Sequence, residues 1–291
     1  MLEFGNLMTA MVTPFDKNLD VDYKKLEDLA LKLISEKTTG IVVCGTTGEA
    51  PTLTKEEKLN IIKSVKEVVK GKAPVIAGTG SYSTNESIKM SKSAEEVGAD
   101  ALLIVNPYYN KPDQRGLYEH FKAIAQSVSL PIILYNHPGR TNVCIEAETL
   151  KKLSEIDNIK AIKDSSCSLD LMTQYKRIVP DDFLIYSGDD SMNFSLACLG
   201  ANGAVSVASH VAGEQISKMF DEISKNNIEN AREIHYSLID LYKILFCAPS
   251  PAPTKAALAI KGFNVGSVRL PLVDLSDSDY NKVKNVLKGL K

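Results

Sequence analysis

The stretch PIILYNHPGRTNVCIEAETLKKLSEIDNIKAIKDSS, residues 131–166, contains the unit on which the fold of this chain depends. Two apolar runs, PIILYN and IKAIK, enclose an amphipathic segment at 146–155 whose apolar residues recur at helical spacing. Two strands joined through a helix pair in parallel, because a parallel neighbour can be reached only by a crossover connection. The stretch therefore predicts a β-α-β unit.

The same unit recurs through the first two thirds of the chain, at intervals of roughly 20 to 30 residues. Its apolar runs are MTAMV, GIVVCG, PVIAGTG, ALLIVN, PIILYN, IKAIK, FLIYSG and GAVSV. Continuously apolar strands are typical of a sheet that is covered on both faces. The pattern favours an α/β fold, a closed (β/α)8 TIM barrel. An open doubly wound sheet is disfavoured, because no GxGxxG fingerprint follows the first strand.

Beyond GAVSV the chain becomes helical, with a proline cluster, APSPAPTK, at 248–255. A barrel needs only one helix after its last strand, so this tail is an extension. We expect a barrel over residues 1–225 and a C-terminal helical domain over residues 226–291. Since no low-complexity linker separates them, the tail should pack on the barrel. The predicted helices span residues 214–225, 228–246, 254–261 and 277–290.

Composition and charge exclude several classes of protein. The 34 basic and 36 acidic residues give a net charge of −2, which offers no electrostatic reason to bind nucleic acid. The longest apolar runs, such as 101–105, are far shorter than the ~20 residues of a membrane span, and the N-terminal segment has no basic leader. We expect a cytoplasmic protein without membrane contact.

The five cysteines are odd in number, widely spaced and without a CxxC pair. Neither a disulfide framework nor a zinc site is expected, and the thiols should be reduced and mostly buried. The four histidines are spread over the chain, so no metal cluster is expected either. The sequence thus predicts neither a metal nor a cofactor.

Lys163 follows an apolar run at the carboxyl end of the sixth strand, the end at which barrel enzymes build their active sites. Because side chains alternate along a strand, Lys163 shares a face with Ala161 and Ile159, and Lys160 faces the other way. Lys163 can therefore point into the barrel mouth. In isolation it could equally be a rim lysine paired with Asp164 or Asp189.

The surroundings of Lys163 favour covalent chemistry. An apolar interior favours the uncharged amine, which attacks carbonyl carbons to form a Schiff base. Tyr135 ends the neighbouring strand and can exchange protons, with the hydroxyls of Thr46 and Thr47 available to relay them. A metal-dependent aldolase is disfavoured, because no cluster of histidines and carboxylates stands at the strand ends. A non-catalytic barrel that binds a small acid would be indicated by the absence of the lysine or the tyrosine. Neither residue is missing.

The motifs GTTGE, NPYYNKP, YNHPGRT, IKDSS and SGDD, in this order and followed by GAVSV, resemble those of the dihydrodipicolinate synthase family. This family belongs to the pyruvate-dependent class I aldolases, as does N-acetylneuraminate lyase. The resemblance runs from about residue 4 to the C-terminal helices. It implies a TIM barrel and a lyase that condenses pyruvate with L-aspartate 4-semialdehyde in lysine (diaminopimelate) biosynthesis.

The resemblance also implies catalytic roles. Lys163 would form the imine with pyruvate, and Tyr135 would donate and accept protons. Thr46 would link Tyr135 to Tyr109 in a proton relay. Tyr109 would come from the adjacent subunit of a homo-oligomer, either a dimer or a dimer of dimers.

Substrate binding is implied for Thr47, Gly188, Val205 and Arg140. Relatives often carry isoleucine where this chain has Val205, an exchange that should be harmless because the backbone holds the pyruvate carboxylate. The planar guanidinium of Arg140 can grip the carboxylate of the semialdehyde. Relatives that act on sugar acids lack this arginine. It therefore argues against the alternative, a pyruvate-dependent aldolase of the N-acetylneuraminate lyase or 2-keto-3-deoxy acid aldolase type.

Lysine-inhibited members of the family commonly carry histidines near the start of the helix after GTTGE. This chain has Lys55 and Lys58 there, although Glu86 and Tyr108 are retained. Two ammonium groups would repel a cationic effector, so we predict that lysine does not inhibit this enzyme.

Overall fold

The computed structural model describes residues 4–290, in which eight parallel strands close into a barrel in chain order. β1 pairs with both β2 and β8, which closes the ring. The predicted TIM barrel is confirmed. The strands are β1 Leu7–Ala10, β2 Gly40–Val43, β3 Val75–Gly78, β4 Ala101–Val105, β5 Ile132–Asn136, β6 Ile159–Asp164, β7 Leu184–Ser187 and β8 Gly203–Ser206.

The helices that link these strands begin at side-chain caps in most cases. At the start of α2, Thr54 and Glu57 form a reciprocal capping box. The side chain of Asp113 caps α4 by accepting the backbone N–H of Gly116. The barrel helices are α1 Tyr23–Ser35, α2 Lys55–Val69, α3 Thr84–Glu96, α4 Gln114–Ala125, α5 Pro138–Thr141, α6 Ala147–Ser154, α7 Leu169–Ile178, α8 Asn193–Cys198 and α9 Ser209–Ser224.

The two faces of each strand contribute to different layers of the core. Ala161 packs inside the barrel with Tyr135 and Tyr186, whereas Ile162 belongs to the layer between strands and helices. This alternation places residues 161 and 163 on the interior face of β6. The expectation that Ile159 shares this face is wrong: Ile159 packs in the outer layer, because the register between β5 and β6 shifts after Ile132. The pattern therefore turns Lys163 toward the inside of the barrel, as its spacing in the sequence predicts.

The C-terminal helices pack on the barrel through a hydrophobic cluster that includes Leu7 of β1 and Ala204 of β8. The boundary expected between residues 225 and 226 falls in the turn after α9. The division into two domains stays a prediction, and its terminal residues 1–3 and 291 lie outside the described residues. The helices of this extension are α10 Ile228–Ile244, α11 Ala252–Ile260 and α12 Asp277–Gly289.

All five cysteines are free, but the expectation that most are buried is wrong. Cys44 is buried and Cys144 is half-buried, while Cys167, Cys198 and Cys247 are exposed. The exposed thiols follow β6 or lie at the ends of α8 and α10, where the chain runs along the surface. Among the helices within residues 4–290, none is long and apolar enough to cross a membrane.

Candidate active site

Lys163 is a buried amine at the carboxyl end of β6, with an exposed fraction of 5%. The strand register places it beside Tyr135 of β5 and Tyr186 of β7. Its Nζ lies 4.1 Å from the centre of the Tyr135 ring. Across residues 4–290, no carboxylate oxygen lies within 4.0 Å of this nitrogen. Lys163 therefore lies beside two tyrosine side chains and forms no ion pair within the described residues.

The carboxylates that flank Lys163 in sequence make other contacts. Asp164 accepts hydrogen bonds from Asn136 (2.8 Å) and from Ser166 (2.6 Å). Burial raises the pKa of Asp164, and these two hydrogen bonds oppose the rise. Asp189 accepts from the backbone N–H of Ser191 at 2.9 Å. The interpretation of Lys163 as a rim lysine paired with either aspartate is wrong.

Gly188 leaves the space that the Lys163 side chain occupies. A Cβ atom at this position would lie 2.9 Å from Cε of Lys163 and 2.1 Å from Oγ of Ser165. The Gly188 N–H donates to the Asp164 carbonyl at 2.7 Å, which holds β7 against β6 at the barrel mouth. A larger residue would therefore force the Ser165 hydroxyl and the Lys163 side chain to shift.

Tyr135 and Thr46 line one cavity of about 480 Å³ at the carboxyl ends of the strands. Tyr108, on the loop after β4, lines the same cavity. Thr47 is buried in the loop after β2, and Val205 is buried within the barrel in the same layer as Tyr135. The predicted residues from β2, β5, β6, β7 and β8 thus gather at the same end of the barrel.

Arg140 lies exposed on α5, the short helix that follows β5. His137 lies between β5 and α5 in the chain, and its pKa is lowered to about 4 by burial and by the positive charges of Arg140 and Lys163. The imidazole is therefore neutral near pH 7.

Tyr109 does not join this group within a single chain. Its side chain is 93% exposed, and its backbone has a φ of +73°, which is uncommon for a bulky residue. The four predicted catalytic residues therefore divide into two sets: Lys163, Tyr135 and Thr46 at the barrel mouth, and Tyr109 on the surface.

Sequence reasoning assigned no role to Asp190, the last residue of the SGDD motif. This carboxylate is buried and accepts hydrogen bonds from the backbone N–H groups of Val207 (3.0 Å) and Ala208 (2.8 Å) and from the Ser206 hydroxyl. It holds the end of β8, next to Val205. A second acidic residue in a strand-end motif is the only sequence signal that could have indicated this role.

No group of three or more histidine, cysteine or acidic side chains within residues 4–290 is arranged to hold a metal ion. The groups available at this end of the barrel include the buried Lys163 amine, the phenols of Tyr135 and Tyr108 and several hydroxyl and backbone N–H groups. An amine in an apolar site can attack a carbonyl carbon, and the adjacent phenol can exchange the protons that this requires.

A family model described as the dihydrodipicolinate synthetase family matches residues 3–290. This chain belongs to that family. The resemblance of its motifs is thereby confirmed, and members of the dihydrodipicolinate synthetase family are lyases of the Schiff-base class I aldolase type.

Individual relatives of the dihydrodipicolinate synthetase family match over the full length of the chain. A 4-hydroxy-tetrahydrodipicolinate synthase from Desulforudis audaxviator is 48% identical over 287 residues, covering 99% of this chain and 98% of that protein. A crystal structure of dihydrodipicolinate synthase from Bacillus anthracis has a TM-score of 0.99 and 48% identity, with 100% of both chains covered. The Cyanidioschyzon merolae enzyme with lysine bound has a TM-score of 0.96 and 42% identity, covering 99% of this chain and 98% of that chain.

Proposed function

We propose that this chain condenses pyruvate with L-aspartate 4-semialdehyde through an imine on Lys163, in the diaminopimelate route to lysine. The observation that carries the proposal is a lysine at the catalytic end of the barrel that is 5% exposed and has no carboxylate partner among residues 4–290. Membership of the dihydrodipicolinate synthetase family and the names of the relatives support the choice of substrates.

In the proposed reaction, the unprotonated Lys163 amine attacks the keto carbon of pyruvate, and loss of water gives the imine. The positive charge of the protonated imine then permits loss of a proton from the pyruvate methyl group, and the resulting enamine attacks the aldehyde. Tyr135 supplies and removes protons during these steps. The 4.1 Å between Lys163 Nζ and the Tyr135 ring supports this role.

The carboxylate groups of the two substrates would bind at different places. Thr47 and the backbone at Gly188 and Val205 hold the pyruvate carboxylate close to the amine. Arg140 binds the carboxylate of the semialdehyde through its two-pronged guanidinium. Within the described residues Arg140 forms no ion pair, which leaves its guanidinium available to a ligand.

Borohydride reduction in the presence of pyruvate, followed by peptide mass spectrometry, tests the imine. We expect the reduced adduct on the peptide that carries Lys163. An adduct on Lys160 alone, or none although pyruvate binds, would refute the mechanism.

Arg140→Ala tests the choice of aldehyde. It should raise the KM for the semialdehyde about 10-fold to 100-fold and leave the trapping of pyruvate unchanged. Arg115→Ala, which removes an exposed arginine on α4, is the matched control. An unchanged rate with the semialdehyde would remove the reason for preferring it over a sugar-acid substrate.

The enzyme is a homo-oligomer, at least a dimer, in which Tyr109 acts in the site of the neighbouring subunit through a relay with Thr46. The 93% exposure and positive φ of Tyr109 support this proposal, because contact with a second chain would bury the ring. Subunit mixing provides the test. Tyr109→Phe and Lys163→Ala are each defective, but mixed dimers contain one complete site if Tyr109 acts across the interface.

Random re-assortment of the two variants should restore about one quarter of the wild-type rate, because half of the dimers are mixed and each has one of two sites intact. Mixing without any gain in activity, or a monomer in sedimentation with full activity, would show that Tyr109 does not act in trans.

Lysine does not inhibit this enzyme. Lys55 and Lys58 line the same cavity as Glu86 and Tyr108, so two ammonium groups would meet a cationic ligand there. The rate should be unchanged in millimolar lysine, and half-inhibition at that concentration would refute the proposal. The double variant Lys55→His, Lys58→His removes this positive charge at neutral pH and should gain sensitivity to lysine.

A further inference from the structure

Glu49 ends the GTTGE motif, but its carboxylate contacts the C-terminal extension. Glu49 is 2% exposed and its backbone has a φ of +57°. One carboxylate oxygen, Oε1, lies 2.7 Å from Nζ of Lys255 on α11. The other, Oε2, accepts the backbone N–H of Arg269 at 2.9 Å. The loop that carries Thr46 and Thr47 is thereby joined to the C-terminal extension.

Lys255 is as buried as Glu49, with an exposed fraction of 3%. Its Nζ also donates to the Ser267 carbonyl at 2.7 Å and lies 4.2 Å from the centre of the Phe15 ring. Burial lowers the pKa of Lys255, and the Glu49 carboxylate opposes this change. Separating the two partners would leave each of them as an uncompensated buried charge, which is costly. The pair is therefore held in one geometry.

Arg269 adds a second connection between the extension and the region after β2. Its guanidinium forms two hydrogen bonds to Glu57 of α2, at 3.0 and 2.6 Å. It also donates to the carbonyl groups of Thr52 (3.0 Å) and Leu19 (2.9 Å). The extension therefore contacts both the loop after β2 and the start of the helix that follows it.

The loop between these contacts has little freedom to move independently. Cys44 and Glu49 both have left-handed backbone conformations, with φ of +54° and +57°, which surrounding contacts must maintain. The Glu49 N–H donates to the Thr46 carbonyl at 3.0 Å. On the far side, Thr13 Oγ1 donates to the Gly48 carbonyl at 2.7 Å. Because the Glu49 N–H is bonded to the Thr46 carbonyl, a displacement of Glu49 would also displace the backbone of Thr46.

We propose that Lys255 and Glu49 are positioning residues for the reaction proposed above, on which this inference rests. Their buried ion pair sets the position of the GTTGE loop, and thereby places the Thr46 and Thr47 hydroxyls toward the pyruvate site. The C-terminal extension is then a structural part of the active site. If the ion pair only stabilised the fold, its loss would lower the free energy of unfolding and leave the KM for pyruvate and the trapping rate unchanged.

The test uses Glu49→Gln and Lys255→Met in the full-length protein, assayed well below the unfolding temperature of each variant. We expect the KM for pyruvate to rise about 10-fold and borohydride trapping on Lys163 to slow by a similar factor. Lys255→Arg, which keeps the charge, should restore part of this loss. Lys282→Met is the matched control, because it removes an exposed ion pair to Asp279 elsewhere in the extension.

A folded Glu49→Gln variant with an unchanged KM for pyruvate and an unchanged trapping rate would overturn the inference, whatever its melting temperature. If Lys255→Met does not fold, Glu49→Gln alone decides.

The wild-type protein must first form the Lys163 adduct and condense the two substrates. Failure of that step would refute the proposed function, whereas its success with normal kinetics in Glu49→Gln would refute only the positioning role.

Discussion

Two buried lysines in this barrel have similar surroundings but one essential difference. Lys163 is 5% exposed and Lys255 is 3% exposed, and their Nζ atoms lie 4.1 and 4.2 Å from the centres of the Tyr135 and Phe15 rings, respectively. Lys255 has the Glu49 carboxylate 2.7 Å away, whereas Lys163 has no carboxylate within 4.0 Å in the described part of the chain.

The two lysines differ in the carboxylate and hydroxyl groups that lie beside them. A carboxylate in contact stabilises the ammonium form of a buried lysine, as Glu49 does for Lys255. The ring beside Lys163 also carries a hydroxyl, and the ring beside Lys255 does not. Burial therefore does not distinguish the two lysines, whereas the carboxylate beside Lys255 and the phenol beside Lys163 do.

Replacing the unpaired lysine should have the largest effect on activity. Lys163→Met should lower kcat by about 10,000-fold or more, because it removes the amine proposed to form the imine. Lys160→Met, on the opposite face of the same strand, should stay within about twofold of the wild type. Steady-state rates and borohydride trapping check both variants. An adduct that persists in Lys163→Met would show that the comparison has identified the wrong lysine.

Removing the phenol beside Lys163 should have the next largest effect. Tyr135→Phe should lower kcat about 100-fold to 1,000-fold, since proton transfer loses its positioned donor and acceptor. Tyr186→Phe is the matched control inside the barrel, because the Tyr186 hydroxyl donates to the Gly5 carbonyl at 3.1 Å. If the two variants lost activity equally in the same rate assay, the neighbouring hydroxyl would not be the feature that distinguishes Lys163.

The two lysine variants should rank in the opposite order for stability: Lys255→Met should lower the free energy of unfolding more than Lys163→Met does. Lys255→Met leaves the Glu49 carboxylate buried and unpaired, so the free energy of unfolding should fall by roughly 3 kcal/mol. Lys163→Met deprives no carboxylate of its partner and should be close to neutral. Chemical unfolding at one fixed protein concentration measures both. Equal losses in the two variants would contradict the difference in pairing.

The smallest expected effect on stability concerns His210, a buried histidine that forms no ion pair within residues 4–290. It extends the comparison of buried bases from lysine to histidine. Nδ1 of His210 donates to the Val207 carbonyl at 2.8 Å, and Nε2 accepts the Val12 N–H at 3.1 Å, so both contacts suit the neutral ring. Burial lowers the pKa of His210 to about 4, compared with about 6.5 in an unfolded chain.

The contribution of neutral His210 to stability is complete above about pH 6.5 and decreases as the pH falls toward 4, because the unfolded chain binds the proton more readily. The free energy of unfolding should therefore be lower at pH 5 than at pH 7. His210→Gln should make this dependence shallower. The same pH slope in the variant and the wild type would show that His210 does not titrate as described.

Local patterns in the sequence account for most of the fold and part of the site. Alternation along IKAIK distinguishes Lys163 from Lys160, and the structure has Ala161 inside the barrel and Ile162 outside it. The possible pairing of Lys163 with its sequence neighbour Asp164 could not be judged in this way. That aspartate turns toward Asn136 on the adjacent strand, and only the strand register reveals this contact.

The sequence by itself determined the order of strands and helices, the inward direction of Lys163 and the motifs that identify the family, because these depend on residues close together in the chain. Only the tertiary structure decided that Lys163 has no counter-ion within residues 4–290, that Lys255 is paired with Glu49 and that Tyr109 lies on the surface. Such contacts join residues that are distant in sequence. Barrel closure and the packing of the C-terminal helices bring them together, and no local pattern records that packing.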